Sequence, residues 1–162
     1  MVTATDDPQA APGRLEEVRG LLNTWRIPND TRVPVDELAA DDDDALRALR
    51  DDLRSLVEGR QDVDGVLTGW IDRLDVRVVI ADGRLAFRHD AGRPGDMLTI
   101  VLDAVAAGTW SRLKACPDCR WSFYDNTRNG SKRWCLMSAA GPGTRGCGTI
   151  AKVRRHRSRH PG

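Results

Sequence analysis

Apolar residues first recur at helical spacing: Leu15, Val18, Leu21, Leu22 and Trp25 mark one side of a helix over about residues 14–25, and Pro28 stops the pattern. A second helical stripe, Leu46, Leu49, Leu53, Leu56 and Val57, follows the acidic run Asp41 to Asp44 and ends at Gly59. Acidic groups at a helix start interact favourably with the helix dipole, so the run reads as a helix N-terminus rather than a metal-binding cluster. Val63, Val66, Leu67, Trp70, Ile71 and Leu74 predict a third, short helix. The period then changes to two. Val76, Val78 and Ile80 alternate, Asp82-Gly83 follows, and Leu85 and Phe87 alternate again, which predicts a β-hairpin closed by a type I′ turn. After Pro94-Gly95-Asp96, a fourth stripe of Met97, Ile100, Val101, Val105 and Leu113 predicts a long helix running into a cysteine-bearing segment. The expected fold is α+β and mainly α: a mobile leader (1–13), a helical domain with one hairpin (14–114), and a small C-terminal module (115–162) ending in a basic helix.

The chain has 162 residues and a net charge of +1, a balance that argues against a nucleic-acid partner. Division at the first cysteine reverses this for the C-terminal part. Residues 1–115 hold 15 basic and 22 acidic side chains, a balance of −7, whereas residues 116–162 hold 10 and 2, a balance of +8. No apolar run reaches the roughly 18 residues of a membrane span, and the N-terminus lacks a signal-peptide pattern. A cytoplasmic location without membrane association is expected.

All four cysteines, Cys116, Cys119, Cys135 and Cys147, lie in the basic part. In a reducing compartment such a cluster suits a metal better than disulfides. Cys116-Pro-Asp-Cys119 lets two thiolates grip one ion from a tight loop, and a tetrahedral Zn2+ site needs two more soft ligands. Cys135 supplies the third. The fourth is Cys147 or, on the last helix, His156 or His160. A thioredoxin-type redox role for the Cys-x-x-Cys pair lacks the βαβ context it requires. Trp121 to Tyr124 and Lys132 to Trp134, on either side of Asn129-Gly130, predict a second hairpin that returns Cys135 to the knuckle, with Trp121, Phe123, Tyr124 and Trp134 as the module's own core in preference to groups that stack on bases.

After Cys147-Gly148, Thr149 is placed to cap a helix over 150–159. Lys152, Arg155, His156 and Arg159 fall on one side, and Ile150 and Val153 on the other, the apolar pair being placed to dock on the metal module. With Arg154 and Arg157 on the same helix, and Arg120, Arg128, Lys132 and Arg133 before it, this makes a candidate nucleic-acid surface, for DNA in preference to RNA. The alternative is a protein-interaction module whose basic part docks on an acidic partner, a second copy included. No enzyme is expected. Ser and Thr residues have no His or Asp at a motif spacing, no phosphate-binding glycine loop is present, and His89 reads as a packing or surface residue. No small-molecule ligand of the N-terminal domain can be named.

The run Cys-x-x-Cys-x-Trp-x-Phe-Tyr-Asp-x-x-Arg-Asn-x-Ser-x-x-Trp-Cys, followed by Cys-Gly and Ala-Lys-Val-Arg-Arg-His-Arg, resembles the CGNR zinc-finger family of bacterial proteins. Leu22-Asn23-Thr24, the Leu-Arg-x-Leu-Arg helix at Leu46 to Arg50 and the hairpin resemble the ABATE domain that precedes that finger. The resemblance implies a zinc-ribbon-like finger with Cys116, Cys119, Cys135 and Cys147 as ligands. It also implies a role as a stress-induced transcription regulator, with RNA binding as the alternative. The naming tetrad reads Cys147-Gly148-Thr149-Ile150 here, without the family's Asn and Arg, and the segment from Ser138 to Gly146 is expanded.

Overall fold

The computed structural model describes residues 7–38, 43–136 and 146–159. Asp41 and Asp42, His160 and the segment around Gly141-Pro142-Gly143 lie outside them, as do residues 1–6 of the expected leader. Four helices make the body: α1 (Leu15–Asn23), α2 (Asp44–Val57), α3 (Val63–Arg73) and α4 (Gly92–Ala106). Three small antiparallel ladders accompany them: β1 (Trp25–Arg26) with β2 (Val35–Asp36), β3 (Arg77–Ala81) with β4 (Arg84–Arg88), and β5 (Leu113–Ala115) with β6 (Ser122–Tyr124). A C-terminal helix, α5 (Cys147–Arg159), follows the last cysteine. The mainly helical α+β architecture is the one the periodicity predicts.

The helix ends follow from local chemistry. Asp43 and Asp62 cap α2 and α3, their carboxylates accepting from the backbone N–H of Ala45 and Gly65 at 2.8 Å each. Helix α2 ends with Gly59 at φ +69°, where Gly59 N–H donates to Leu56 and Arg60 N–H to Ser55. Helix α4 ends the same way at Gly108, φ +70°, with Gly108 donating to Val105 and Thr109 to Ala104. This second left-handed stop corrects the predicted helix into the cysteines: α4 finishes at Ala106, and Trp110–Arg112 form a 3-10 turn that leads into β5. The turn between β3 and β4 has Asp82 and Gly83 at φ +50° and +72°, as a type I′ hairpin requires.

One apolar core joins Leu15, Val18 and Leu22 of α1 to Leu46, Leu49 and Leu53 of α2, Leu98 and Val101 of α4, and Trp70 and Trp110. Leu113 of β5 and Tyr124 of β6 belong to it too, so the base of the cysteine module grows out of the helical body. Trp25 is not on α1 but in β1, half-buried, with the Arg54 guanidinium 4.3 Å from its ring centre. Arg50 and Arg54, both buried on α2, are held by partners. Arg50 forks onto Asp36 at 2.5 and 2.8 Å, and Arg54 donates to the carbonyls of Leu22, Trp25 and Arg120.

From Asp7 onward, the segment expected as leader is packed. Ala11 is buried, Asp7 pairs with Arg19 at 2.8 Å, and Asn126 donates to the carbonyls of Pro8 and Ala10. No helix among the described residues is long and apolar enough to cross a membrane.

Candidate metal centre

Strands β5 and β6 pair Leu113 with Tyr124, Lys114 with Phe123 and Ala115 with Ser122. Between them the chain folds into a knuckle: Cys116 N–H donates to Trp121 O, and Arg120 N–H returns to Cys116 O, both at 2.9 Å. Arg120 takes φ +62° to make the reversal. Cys116 and Cys119 are thereby held on one loop. Cys135 arrives from the segment after the Asn129-Gly130 turn, and Cys147 is the first residue of α5, whose Gly148 N–H donates to Leu136 O at 3.0 Å.

The hairpin at this site differs from the predicted one. Lys132 to Trp134 form no strand; β6 pairs with β5 instead. The reason is that the other edge of β6 is occupied. Asn23 of α1 accepts from Ser122 N–H at 2.8 Å and donates to Ser122 O at 2.9 Å, and Tyr124 N–H donates to Gln9 O. Residues 126–134 are ordered by a buried carboxylate. Asp125 accepts from Lys114 Nζ (2.8 Å), Thr127 N–H (3.0 Å), Thr127 Oγ1 (2.5 Å) and Lys132 N–H (2.7 Å). Burial alone would raise its pKa, but the Lys114 and Thr127 hydrogen bonds outweigh burial and hold it well below the usual carboxylate range. The packing of Asp125, Asn23 and Gln9 against the knuckle is absent from the sequence-based expectation. For Asp125 a signal exists: an Asp two residues before a Thr, directly after an alternating strand, is an Asx-turn pattern.

The four sulfurs converge, all lying within 4.8 Å of one another. Cys119 and Cys135 sulfurs are 3.5 Å apart, and those of Cys135 and Cys147 are 3.7 Å apart. Zinc–sulfur bonds of about 2.3 Å in a tetrahedron require sulfur–sulfur edges of about 3.8 Å, so the cage has the size of a four-thiolate zinc site. A disulfide needs about 2.05 Å, and all four cysteines are free. All are buried, with exposures of 0, 5, 6 and 1% in chain order. Phe123 is buried beside them, and half-buried Trp121, Trp134 and Leu136 pack on the cluster. Without a cation, thiols this close ionise unequally. Hydrogen bonds from Cys119 and Cys135 pull Cys116 far below the usual thiol range; donation to Cys116 pushes Cys119 and Cys135 up; burial first, then the neighbouring sulfurs, raises Cys147. A divalent cation relieves this conflict, and its binding releases the remaining protons.

Residues 112–160 match the family model of the CGNR zinc finger. No curated protein matches the chain. The CGNR match and the four-sulfur cage together point to a zinc-binding module, with Cys147, not His156, completing the sulfur set. His160 lies outside the described residues.

The remaining basic residues predicted for the site divide into two groups. Arg120 turns towards the helical body, its guanidinium 3.5 Å from Glu58 and its carbonyl accepting from Arg54. Lys132 is half-buried, with Nζ 5.2 Å from the Phe123 ring centre. Neither is a fully exposed cation: Arg120 is paired with Glu58 and Lys132 is half-buried. Arg128 and Arg133 are exposed, as are Lys152, Arg154, Arg155, His156, Arg157 and Arg159 on α5. Helix α5 starts two residues before the predicted Thr149 cap: Gly146 O accepts from Ile150 N–H, so Cys147 enters the first turn. Ile150 is half-buried but Val153 is 44% exposed, so the predicted apolar pair docks only at its first member. Further anchoring comes from Arg154, 3.4 Å from the carboxylate of half-buried Asp118 in the knuckle, which Arg32 also approaches at 3.9 Å.

Proposed function

We propose that Cys116, Cys119, Cys135 and Cys147 hold one Zn2+ as a structural centre and that α5 is the element that binds nucleic acid, DNA in preference to RNA. One observation carries this reading. Lys152, Arg155, Arg157 and Arg159 project from α5 into solvent and pair with no acidic group among the described residues, whereas the helix is held at its start by a cage cysteine and the Gly148 hydrogen bond and at mid-length by Arg154–Asp118. Thirteen residues at 1.5 Å rise make a rod about 20 Å long and about 10 Å across, a size that enters a B-DNA major groove about 12 Å wide. Arg128 and Arg133 add exposed cations from the same finger. Four thiolates fill a tetrahedron and leave no open position for substrate, which supports a non-catalytic role. The helical body, with its ABATE-like order of elements, then carries regulatory input to a transcription regulator of the stress-response type.

The test is fluorescence anisotropy with a labelled duplex and a labelled RNA of equal length, over a series of salt concentrations. Affinity is expected to fall with salt by roughly 0.9 in log K per log unit of salt for each phosphate contacted. The combined Lys152→Glu, Arg155→Glu and Arg159→Glu variant is expected to lose binding while keeping its zinc and its oligomeric state. Absence of binding by the wild-type chain at low salt overturns the reading. Unchanged nucleic-acid binding by the variant, with an altered oligomeric state, favours docking of the finger on an acidic partner.

A further inference from the structure

The four cysteines are not equally enclosed. Cys116 and Cys147 are 0 and 1% exposed, whereas Cys119 and Cys135 keep 5 and 6%. These same two residues border a cavity of about 450 Å3 beside the cage, lined also by Ile27, Asn29, Trp121 and Leu136. Their sulfurs are in contact, 3.5 Å apart. Reactivity of a thiolate follows its access and its charge, so the two cysteines that border the cavity are also a pair whose sulfurs already touch.

We infer that Cys119 and Cys135 form an oxidation-sensitive pair within the metal centre, which a small two-electron oxidant of the peroxide class links as a disulfide with release of the metal. The inference rests on the zinc reading above. The Cys119 thiolate attacks one peroxide oxygen; the O–O bond breaks, hydroxide leaves and a sulfenic acid remains on Cys119. The Cys135 thiolate then attacks that sulfur, the S–O bond breaks and a second hydroxide leaves. Two thiolates have together given two electrons to one peroxide, and the product is one disulfide and two hydroxides. Closing the pair from 3.5 Å to about 2.05 Å moves the sulfurs by roughly 1.5 Å in total, within reach of side-chain rotation. Two of the four ligands are consumed. The Cys135 carbonyl accepts from Gln9 Nε2 and the Leu136 carbonyl from Gly148 at the start of α5, so the change at Cys135 reaches both the N-terminal segment and the basic helix.

The experiment treats the zinc-loaded full chain with hydrogen peroxide, follows metal release with a chromogenic chelator, and maps linked peptides by mass spectrometry after alkylation. The expected result is release of the bound zinc in step with a Cys119–Cys135 crosslink, and recovery of zinc binding after reduction. A dominant Cys116–Cys119 or Cys135–Cys147 crosslink, or retention of zinc through oxidation, overturns the inference. Metal analysis before oxidation judges the zinc reading separately: if it finds none, that reading fails, while the crosslink map still decides the pair. Asn29→Trp, at an exposed position on the cavity wall, is expected to slow release several-fold without altering zinc content. An unchanged rate refutes entry through this cavity.

Discussion

Replacing Asp125 by alanine removes one fully buried carboxylate and strands four donors. Lys114 keeps the carbonyls of Gly130 and Lys132 as acceptors, and its side chain retains 27% exposure, so its charge is not left wholly uncompensated. Thr127 lies at the surface and its N–H and hydroxyl rehydrate; the Lys132 N–H does so less well. Breaking a buried ion pair costs about 3–5 kcal/mol, and this partial compensation places Asp125→Ala near the lower end, about 3 kcal/mol. In a chain of this size that is a fall in Tm of roughly 6–12 °C. The carboxylate also shapes the segment that delivers Cys135, so zinc affinity is expected to drop by about 10–100-fold, as for other residues that support a metal ligand from behind. Urea denaturation of the zinc-loaded protein measures the first effect, and competition with a chelator of known affinity the second. A loss below about 1 kcal/mol with unchanged zinc affinity would refute the assignment of Asp125 as the organiser of this loop.

Three further outcomes follow from the same contacts. Asn23→Ala removes both hydrogen bonds to Ser122 in a buried setting and is expected to cost about 2–3 kcal/mol in denaturant unfolding, because Ser122 N–H and C=O are left without partners. Hydrogen bonding from Arg50 lowers the Asp36 carboxyl to about 2 from its ordinary 3.8, so its contribution is present above pH 4 and is lost as the pH falls towards 2. The stability gap between wild type and Asp36→Asn is therefore expected to close over that window in acid titrations at fixed denaturant. Chelation is expected to reduce hydrogen-exchange protection in α1 as well as in the finger, since Leu113 and Tyr124 share the body's core and β6 is bonded to Asn23 and Gln9. Protection lost only after residue 115 would contradict that coupling.

Features encoded within a few residues are legible in the sequence. The Asp-Gly turn, the acidic start of α2 and the apolar stripes of α1 to α3 each rest on local geometry, and the cysteines declare a metal site by their type and spacing. The remainder is decided elsewhere. The apolar period of α4 runs on through Val105 and Trp110 to Leu113, and only the left-handed Gly108 and its two reversed hydrogen bonds stop the helix at Ala106. The partner of β6 differs from expectation because the edge that Lys132 to Trp134 would use is taken by Asn23 and Gln9, about a hundred residues away in sequence, which no local pattern records. Arg120 reads in the sequence as one more surface cation; its backbone reversal in the knuckle and its pairing with Glu58 turn it inward. For the same reason, the finger's charge belongs mainly to α5.

Everything downstream of the cage depends on four sulfurs meeting one ion, and zinc K-edge X-ray absorption on the purified full chain tests this most directly. The account predicts a single shell of four sulfur scatterers at about 2.3 Å. A shell containing nitrogen at about 2.0 Å, with His156 or His160 in place of Cys147, would contradict it.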